Sequence, residues 1–535
     1  MASNPKKPPW AKQAEDALEG VFQFQQVRVT QKRRPNGGLD WHWRGPNSDR
    51  EWPLMLNRLA WLPSLQKAWK ESGDSRYLNL LTDTLADWLC QNPCPNFFMR
   101  SVAWRPLEVA RRASESFLPL LAGSSPGGLS SLPAPWPETL RSSLRAHARF
   151  LRRHHAWRGN HLITEMLALL EVSLFFEDDS EAVKWADFAV RKLSRSLERQ
   201  IYPDGSYKEL SSHYHRIISR NVNRFCQLLE KRQEKAEQTY WQQKAEALWG
   251  YLHQVLKPNG KNPLNNDTDE EALSSVLALE APAHIGKESR QTTHFPWAGH
   301  TVFRGEKEPH WGFFDSGPAG TDHAHEDFLS FTCSSGEADF LLDNGRYTYK
   351  PGSWRRYFAG PAGHNVIMVD GRGARQPGRE RRSLPKKPAM VKTEEGHRAQ
   401  GETFFTSAWS RKIADWRREV GFQTDLGWCI EDYLVLFGRR EVTTLWHFHP
   451  HCQIKGKDEG AGVLWQVSHD DTVLEVRLRD PSGKVDWEIV KGQTYPLVQG
   501  WWSPKFNLKE PAPCLVLRQT VIKPFCNQWA FTFRG

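Results

Sequence analysis

The chain has 535 residues, of which 39% are hydrophobic and 25% are charged, and its formal net charge is +10. This composition excludes a disordered, collagen-like or coiled-coil protein, and the length predicts two or three domains rather than one core. No apolar run approaches the roughly 18 residues that a membrane-spanning helix needs. The positive charge favours an acidic partner, which leaves nucleic acid, an anionic membrane and an anionic polysaccharide open.

Three further features of the composition bear on compartment and packing. The first residues include lysines but no apolar stretch of a signal peptide, which predicts an intracellular protein unless the natural start is different. The eight cysteines are scattered without a repeated C-x-x-C pair, so we expect isolated thiols rather than a zinc ribbon or a disulfide scaffold. Most of the 25 tryptophans are expected in the core, although an indole face also stacks well on a sugar ring.

The first half of the chain is predicted to be helical. Segment 137–157 opens with a proline suited to a first helical turn, and its apolar side chains repeat on one face. These side chains are Leu140, Leu144, Ala148 and Leu151. Further helices are predicted at about 54–70, 76–90, 106–121, 161–176, 180–201, 212–231 and 235–257. Serial helices joined by short loops favour an all-α layer of helical hairpins stacked around an axis.

After about residue 290 the pattern changes to short alternating or β-branched runs separated by turn signals. Segments such as DFLSFTC, HNVIMVD and CIEDYLVLF are typical of antiparallel sandwiches. The sequence therefore predicts a helical domain over residues 1–288 and an antiparallel β-sandwich domain over residues 289–535.

Two clusters of polar residues stand out in the helical half. The segment RGNHLITEM places Asn160 and His161 at the start of a helix, where an asparagine often serves only as a cap. The segment YPDGSYKELSSHYH ends in Tyr214 and His215, at the start of the helix predicted at 212–231, where a tyrosine is usually a core residue.

Two more clusters lie in the strand-rich half. In TDHAHEDFLSF, a strand would project His323 and His325 from the same face, since residues two apart share a face. Asp343 and His364 are predicted at two further strand edges. H-x-H alone is a common spacing, but two histidines and an aspartate from separate segments have the composition of a zinc site.

Basic residues recur along the helix that precedes Asn160. They lie at positions i, i+4, i+8 and i+11, with two more beside them: Arg141, Arg145, Arg149, Arg152, Arg153 and Arg158. This stripe either faces a sugar groove and binds carboxylate or sulfate, or it is a solvated helix face. A second basic group, Arg346, Arg355 and Arg356, accompanies the histidines of the second half.

In their order along the chain, these clusters resemble the heparinase II/III-like polysaccharide lyases. The resemblance rests on six motifs that occur in the family's order: the N-H pair, the PDGS…YH stretch, the P-x-G…ND segment, the H-x-H-x-D run, the D-x-G turn and the G-H-N-x-V-x-V-D-G strand. In addition, the stretch from Glu51 to Arg58 resembles the family's entrance to its helical domain. It covers most of the chain. It implies an incomplete (α/α) toroid followed by an antiparallel β-sandwich, in agreement with the order of helices and strands.

The resemblance also implies roles for individual residues. Tyr214 corresponds to the catalytic base and acid, with Asn160, His161 and His323 around the uronate carboxylate of the substrate. A divalent metal, expected to be zinc and structural, would be held by His325, Asp343 and His364. The resemblance further implies substrate contacts for His215 and for a tyrosine of RYTY, either Tyr349 or Tyr347. The two basic groups, independently of the resemblance, add Arg149, Arg153 and Arg346 as expected substrate contacts.

The chemistry implied is β-elimination, in which a base removes the C5 proton of a 4-linked uronate and the oxygen at C4 leaves. A tyrosine has a reference pKa near 10, so a tyrosinate base at neutral pH requires about 3–4 kcal/mol of stabilisation of the anion. Nearby positive charge is the expected source.

The leading interpretation is a lyase acting on heparan sulfate or a related glycosaminoglycan. Chondroitin, hyaluronan and alginate remain open as substrates, and so do two other classes: a non-catalytic polyanion-binding protein and a metal-dependent hydrolase. A nucleic-acid-binding protein is supported by charge alone, with no matching motif. Members of the family usually act in the periplasm or outside the cell, in contrast to the missing signal peptide.

Overall fold

The computed structural model describes residues 7–95, 101–122, 131–286, 290–375, 378–383, 389–393, 396–423, 426–460, 462–481 and 483–534. A helical N-terminal part is followed by a strand-rich C-terminal part with antiparallel sheets, as the sequence predicts. Within the described residues, no helix combines the length and the apolar character needed to cross a membrane.

The α-helices of the described residues are α1 (Pro9–Leu18), α2 (Glu51–Asn57), α3 (Leu62–Ser72), α4 (Ser75–Gln91), α5 (Pro106–Arg112), α6 (Leu118–Leu121), α7 (Trp136–Arg153), α8 (Gly159–Phe175), α9 (Ser180–Gln200), α10 (Ser212–Lys231), α11 (Lys235–Val255), α12 (Leu273–Glu280) and α13 (Ser353–Ala359). A π-helical turn at Ala113–Phe117 joins α5 to α6, and a 3-10 turn lies at Pro361–Gly363.

Helix α7 shows how the sequence pattern becomes structure. Its four predicted apolar residues, Leu140, Leu144, Ala148 and Leu151, are all buried. The arginines between them occupy the other face, because a 3.6-residue period separates the two sets, whereas His147 is buried with the apolar residues. The helix begins with Pro137 in its first turn, as predicted, and ends at Arg153.

The strands are β1 (Val21–Phe24), β2 (Val27–Thr30), β3 (Thr293–Phe295), β4 (His300–Arg304), β5 (His310–Asp315), β6 (Phe331–Ser335), β7 (Ala338–Leu341), β8 (Ile367–Val369), β9 (Met390–Thr393), β10 (Gly396–Thr406), β11 (Lys412–Gln423), β12 (Gly427–Leu436), β13 (Arg440–His447), β14 (Gln453–Glu459), β15 (Gly462–His469), β16 (Thr472–Arg479), β17 (Val485–Lys491), β18 (Trp501–Trp502), β19 (Glu510–Pro511), β20 (Pro513–Val521) and β21 (Phe525–Arg534).

Three larger sheets, all antiparallel, build the C-terminal part. The five-stranded sheet has the order β3-β4-β5-β6-β7, the four-stranded sheet β17-β20-β13-β8, and the eight-stranded sheet β14-β15-β16-β21-β12-β11-β10-β9. One hydrophobic cluster takes residues from all three, including Phe331, Leu515 and Trp529. This common core holds the loops between the sheets in place.

Tryptophan supplies much of the core volume. The largest fully buried side chains of the described residues include nine tryptophans. In contrast, the side chains of Trp157 and Trp409 are 90% and 92% exposed. The expectation that most tryptophans pack in the core is confirmed for these nine. All eight cysteines are free thiols, of which Cys226, Cys333 and two others are buried.

The described chain forms two compact units. One contains the chain up to Gln200 together with Arg224–Glu234, and the other contains Ile201–Asn223 together with the chain from Lys235 onward. The change from helices to sheets falls between α12 and β3, near the boundary predicted at residue 288. That domain boundary itself stays a prediction, since the compact units divide the chain at other positions.

Candidate active site

Tyr214 lies in the first turn of α10, at the centre of a cluster within the second unit. Its hydroxyl is 3.0 Å from the hydroxyl of Tyr349, and Nη1 of Arg346 lies 3.4 Å from the same oxygen. Arg346 Nη1 also donates to the Tyr349 hydroxyl at 2.8 Å. The ring of Tyr214 stacks on that of His323, with centroids 3.7 Å apart and an interplanar angle of 12°. Four residues predicted as site residues are thus brought together.

Arg346 is fixed by a paired carboxylate and by a turn. Its Nε and Nη2 donate to the two oxygens of Asp269 at 2.8 and 2.6 Å, which is the bidentate geometry that suits guanidinium. The preceding Gly345 has a φ of +69°, and a Cβ there would collide with the backbone oxygen of Ser503. The glycine of the D-x-G motif therefore allows the close approach that aims Arg346 at the tyrosines.

His323 and His325 lie in the loop between β5 and β6, so the expectation that they share a strand is wrong. They meet through Asp267: Nδ1 of His323 donates to one carboxylate oxygen at 3.1 Å, and Nε2 of His325 donates to the other at 2.8 Å. Arg355 pairs with both oxygens of the same carboxylate. A shared carboxylate, rather than strand geometry, sets the two imidazoles.

The ionisation of Asp267 follows from these partners. Burial alone would raise its pKa, but the bonds from His323 and His325 and the charge of Arg355 hold the pKa well below its usual range. Asp267 is therefore an anion at any working pH, and it fixes the Nδ1 proton of His323. That arrangement places the basic nitrogen of the ring at Nε2.

The pKa of Tyr214 lies above its ordinary value. Burial raises it, and the carboxylates of Asp267 and Glu209 add to the rise, while Arg346 and the bond from Tyr349 oppose it. The positive charge needed to stabilise a Tyr214 phenolate is present in Arg346. It does not outweigh burial, however, so Tyr214 is a neutral phenol at pH 7.

Glu209 is a buried carboxyl group beside the cluster. Its Oε1 accepts a bond from Tyr207 at 2.8 Å, and its Oε2 lies 3.9 Å from Nε2 of His323. Burial raises the pKa of Glu209 to about 7, although the charge of a protonated His323 would lower it. Glu209 thus titrates near neutrality next to a histidine predicted to contact substrate.

A second cluster joins His325, Asp343 and His364, whose possible ligand atoms lie within 4.8 Å of one another. All three residues are buried. Asp343 follows β7 and His364 precedes β8, at the strand edges that the sequence predicts. Oδ1 of Asp343 and Nε2 of His364 are buried and have no hydrogen-bond partner among the described residues. Two nitrogens and one carboxylate oxygen are a donor set that suits zinc.

His215 lies apart from these clusters in its contacts, although it is adjacent to Tyr214 in sequence. Its ring is buried, stacks on Tyr251 with centroids 4.4 Å apart, and uses Nε2 to contact the backbone oxygen of Leu248 at 2.9 Å. Burial lowers its pKa to about 3. The ring therefore packs in the interior, and the substrate contact predicted for His215 stays a prediction.

The remaining predicted site residues belong to the first unit. Asn160 and His161 lie in the first turn of α8, and neither is its N-cap, which is Arg158. Oδ1 of Asn160 is buried and has no hydrogen-bond partner among the described residues. His161 is exposed. The asparagine therefore does not have the capping role that was the alternative to substrate binding.

The arginine stripe on α7 is largely engaged within the first unit. Arg149 pairs with Glu181 at 2.7 Å, and Arg145 lies 3.6 Å from Asp179. Arg141, Arg145 and Arg152 each place a guanidinium over a phenylalanine ring, at 4.9, 4.2 and 3.8 Å. Arg153 is exposed. The predicted sugar contact of Arg149 and Arg153 stays a prediction.

Sequence reasoning assigned no role to the carboxylates that organise the site. Asp267 ends the ND segment that supports the resemblance, and Glu209 lies within the YKELSS stretch before Tyr214, yet neither was assigned a function. Asp269 holds Arg346 in the same way. An isolated carboxylate carries no spacing pattern, so only the fold reveals these partners.

Two family models together match nearly the whole chain. The heparinase II/III N-terminus model matches residues 7–281, and the heparinase II/III-like C-terminal model matches residues 287–529. The chain belongs to the heparinase II/III family. The resemblance predicted from the motifs is thereby confirmed, and the Tyr214 cluster is the candidate active site of a family member.

Curated relatives of this family member include two bacterial proteins. A heparin-sulfate lyase of Bacteroides stercoris is 28% identical over 245 residues, which are 41% of this chain and 34% of that protein. A heparin-sulfate lyase of Bacteroides thetaiotaomicron is 27% identical over 183 residues, which are 34% of this chain and 26% of that protein. The alignments thus span about a third or less of these relatives.

Solved structures of similar fold cover far more of the chain. A heparinase III structure has a TM-score of 0.80 at 17% identity and covers 98% of this chain and 84% of its own. A mutant of the heparan sulfate lyase HepC from Pedobacter heparinus has a TM-score of 0.68 at 18% identity, and the match covers 100% of this chain and 84% of that chain. At these identities the likeness establishes the fold.

Proposed function

We propose that this protein is a polysaccharide lyase that cleaves a uronate-containing glycan of the heparan sulfate or heparin type by β-elimination. One observation carries the proposal: the hydroxyl of Tyr214 is contacted by the Tyr349 hydroxyl and the Arg346 guanidinium, while its ring stacks on His323. Family membership, and the names of relatives called heparin-sulfate lyases, support the reaction class. The net charge of +10 suits an anionic substrate.

Tyr214 is the base and then the acid. As a phenolate it takes the C5 proton of the uronate, and as a phenol it returns that proton to the departing oxygen at C4, so one residue completes the transfer. Arg346 and Tyr349 stabilise the phenolate because both donate toward its oxygen. Since burial keeps the pKa of Tyr214 above its ordinary value, the phenolate fraction, and with it kcat/KM, increases as the pH rises.

The substrate carboxylate gains charge as the C5 proton leaves, so the site must supply donors to it. His323, whose Nδ1–H is held by Asp267, meets this need as an imidazolium, which donates from Nε2 as well. By family resemblance we assign Asn160 and His161 to the same carboxylate. The buried Oδ1 of Asn160, which lacks a partner among the described residues, is consistent with an amide that is completed by a ligand.

We assign His325, Asp343 and His364 to a structural divalent metal, with zinc as the expected ion. The fit rests on their donor set and on the buried, unsatisfied Asp343 Oδ1 and His364 Nε2. The bond from His325 Nε2 to Asp267 is the kind of outer-sphere contact that orients a metal-binding imidazole. When bound, the metal would neutralise buried charge and hold the β5–β6 loop, which carries His323.

His325→Ala tests this metal assignment. We expect the variant to contain one metal ion fewer per chain and to unfold at a lower temperature, because a ligand that binds only the folded state stabilises it, by about 3–4 kcal/mol at several hundred times its dissociation constant. Elemental analysis and thermal unfolding check both effects. Equal metal content and equal stability in wild type and variant would show that the assignment is wrong.

The reaction itself is tested by the ultraviolet absorbance of the unsaturated uronate that β-elimination creates. The protein is incubated in parallel with heparan sulfate, heparin, chondroitin sulfate, hyaluronan and alginate. We expect the absorbance to rise with heparan sulfate or heparin and to rise less or not at all with the others. A rise only with another uronate glycan would keep the reaction and replace the substrate. New reducing ends without absorbance would instead indicate a hydrolase.

A further inference from the structure

A second group of histidines lies in the strand-rich part, outside the candidate active site. It consists of His449, His451 and His469, whose possible ligand atoms all lie within 4.8 Å of one another. The rings of His449 and His469 stack with centroids 4.7 Å apart, and that of His451 stands nearly perpendicular to both. The three residues come from two segments, the end of β15 and the bend between β13 and β14. We propose that this triad is a second metal site that binds zinc or a similar borderline divalent cation.

Hydrogen bonding prepares the His469 ring for this role. Its Nδ1 donates to the backbone oxygen of Asp339 at 2.6 Å, so its Nε2 carries the lone pair. A backbone carbonyl on the far nitrogen is the usual support of a metal-binding imidazole, because it fixes both the tautomer and the ring orientation. Nε2 of His469 also lies 3.9 Å from a carboxylate oxygen of Asp470, which is near enough to supply a fourth ligand.

The exposure of the three rings suits a site that admits an ion from solvent. Only 8% of His449 and 5% of His469 is exposed, whereas His451 is an exposed residue. Nitrogens bound to one tetrahedral zinc at 2.0–2.1 Å lie roughly 3.4 Å apart. Since the possible ligand atoms of the triad lie within 4.8 Å of one another, the rings must rotate toward a common ion, and the exposed His451 ring is the least restrained.

The surroundings indicate what the metal would do. His449 follows β13 of the four-stranded sheet, and its N–H donates to Phe340 in β7 of the five-stranded sheet at 3.0 Å. His469 ends β15 of the eight-stranded sheet and bonds to Asp339, also in β7. Asp339 in turn holds Lys257, just after α11, at 2.6 Å. One ion at the triad would join the segment after β13 to the end of β15, both of which are already hydrogen-bonded to β7, so its effect would be on stability.

The test compares the metal-stripped full-length wild type with His451→Ala, which alters only an exposed side chain. Both are equilibrated with zinc, and metal content and thermal unfolding are measured. We expect His451→Ala to bind one zinc ion fewer per chain and to lose roughly 5 °C of the zinc-dependent rise in Tm. His284→Ala, at an exposed histidine outside the triad, serves as the matched control and should behave as wild type.

Cobalt provides a direct readout of the ligands. In wild type, Co²⁺ should give the visible absorption of a tetrahedral nitrogen-bound ion at this site, and the spectrum of His451→Ala should lack that contribution. Because the comparison is between two proteins that both retain His325, Asp343 and His364, it is independent of the metal assigned to those residues. Equal zinc content and equal cobalt spectra in wild type and His451→Ala would overturn the proposal.

Discussion

Arginines occur in two very different settings in this protein. Arg346 is 8% exposed, is held by both oxygens of Asp269 and reaches two tyrosine hydroxyls. Arg149 of α7 has a side chain that is 53% exposed and is paired with a surface carboxylate. The repeated stripe is easy to see in the sequence, whereas Arg346 belongs to a small basic group without a repeat. The difference teaches that burial and a fixed partner, rather than charge density, mark the arginine that can act on a reacting group.

The largest effect is expected at the residue that Arg346 contacts. Tyr214→Phe removes the proton-carrying hydroxyl but keeps the ring that stacks on His323. We expect turnover, followed by absorbance of the unsaturated uronate, to fall by about 10²–10⁴-fold with glycan binding and stability nearly unchanged. Tyr347→Phe is the matched control, because that hydroxyl contacts Lys509 instead. Near-normal turnover in Tyr214→Phe would remove the tyrosine from its proposed role.

The second-largest effect is expected in the pH dependence of stability, which compares the buried carboxyl group of Glu209 with a carboxyl group at the surface. The pKa of Glu209 rises from an ordinary 4.5 to about 7. Between those values the folded state holds the proton more tightly than the unfolded state, so stability falls as the pH rises toward 7 and stays lower above it. This shift corresponds to about 3 kcal/mol, and Glu209→Gln should abolish that part of the loss.

Urea unfolding at pH 5 and pH 8 measures the Glu209 effect. The free energy of unfolding of Glu209→Gln should fall less between the two pH values than that of wild type. Glu181→Gln, at the exposed carboxylate paired with Arg149, should leave the wild-type pH dependence unchanged. The same fall in Glu209→Gln as in wild type would show that Glu209 does not titrate in this range.

Arg346→Gln tests the buried arginine directly. The change removes a charge that lowers the pKa of Tyr214, so the alkaline rise of kcat/KM should move to higher pH. At neutral pH we expect kcat/KM to fall about 10–100-fold, with partial recovery in Arg346→Lys, since lysine restores the charge but not the paired geometry. Arg518→Gln, at an exposed arginine paired with Glu488, provides the control. An unshifted pH profile in Arg346→Gln would separate Arg346 from the ionisation of Tyr214.

The order of helices and strands was predictable because it rests on local periodicity, as the buried face of α7 shows. Tyr214, His323 and Tyr349 were predictable as site residues only through motifs of the family, and Arg346 only as a member of a basic group near the histidines. Their partners were not, because Asp267 meets His323 and His325 across 56 and 58 residues of chain. The strand predicted at His323 was wrong because of the same distant partner. Asp267 bonds to both rings and aligns them in a loop, so no β-strand is needed to place them side by side.

The smallest effect is expected in the stripe itself, from the double variant Arg149→Ala/Arg153→Ala. Exposed ion pairs contribute little to stability, so the free energy of unfolding should fall by less than about 1 kcal/mol.

The same double variant tests the predicted contact with substrate. If these arginines contact the sulfated glycan, KM should rise several-fold at low salt. The difference from wild type should shrink at high salt, because salt screens exposed charges most strongly. The kcat should remain that of wild type, since neither residue is proposed to touch the reacting atoms. A KM equal to wild type at all salt concentrations would make the stripe a solvated face, and a large loss of kcat would contradict the expectation that neither residue touches the reacting atoms.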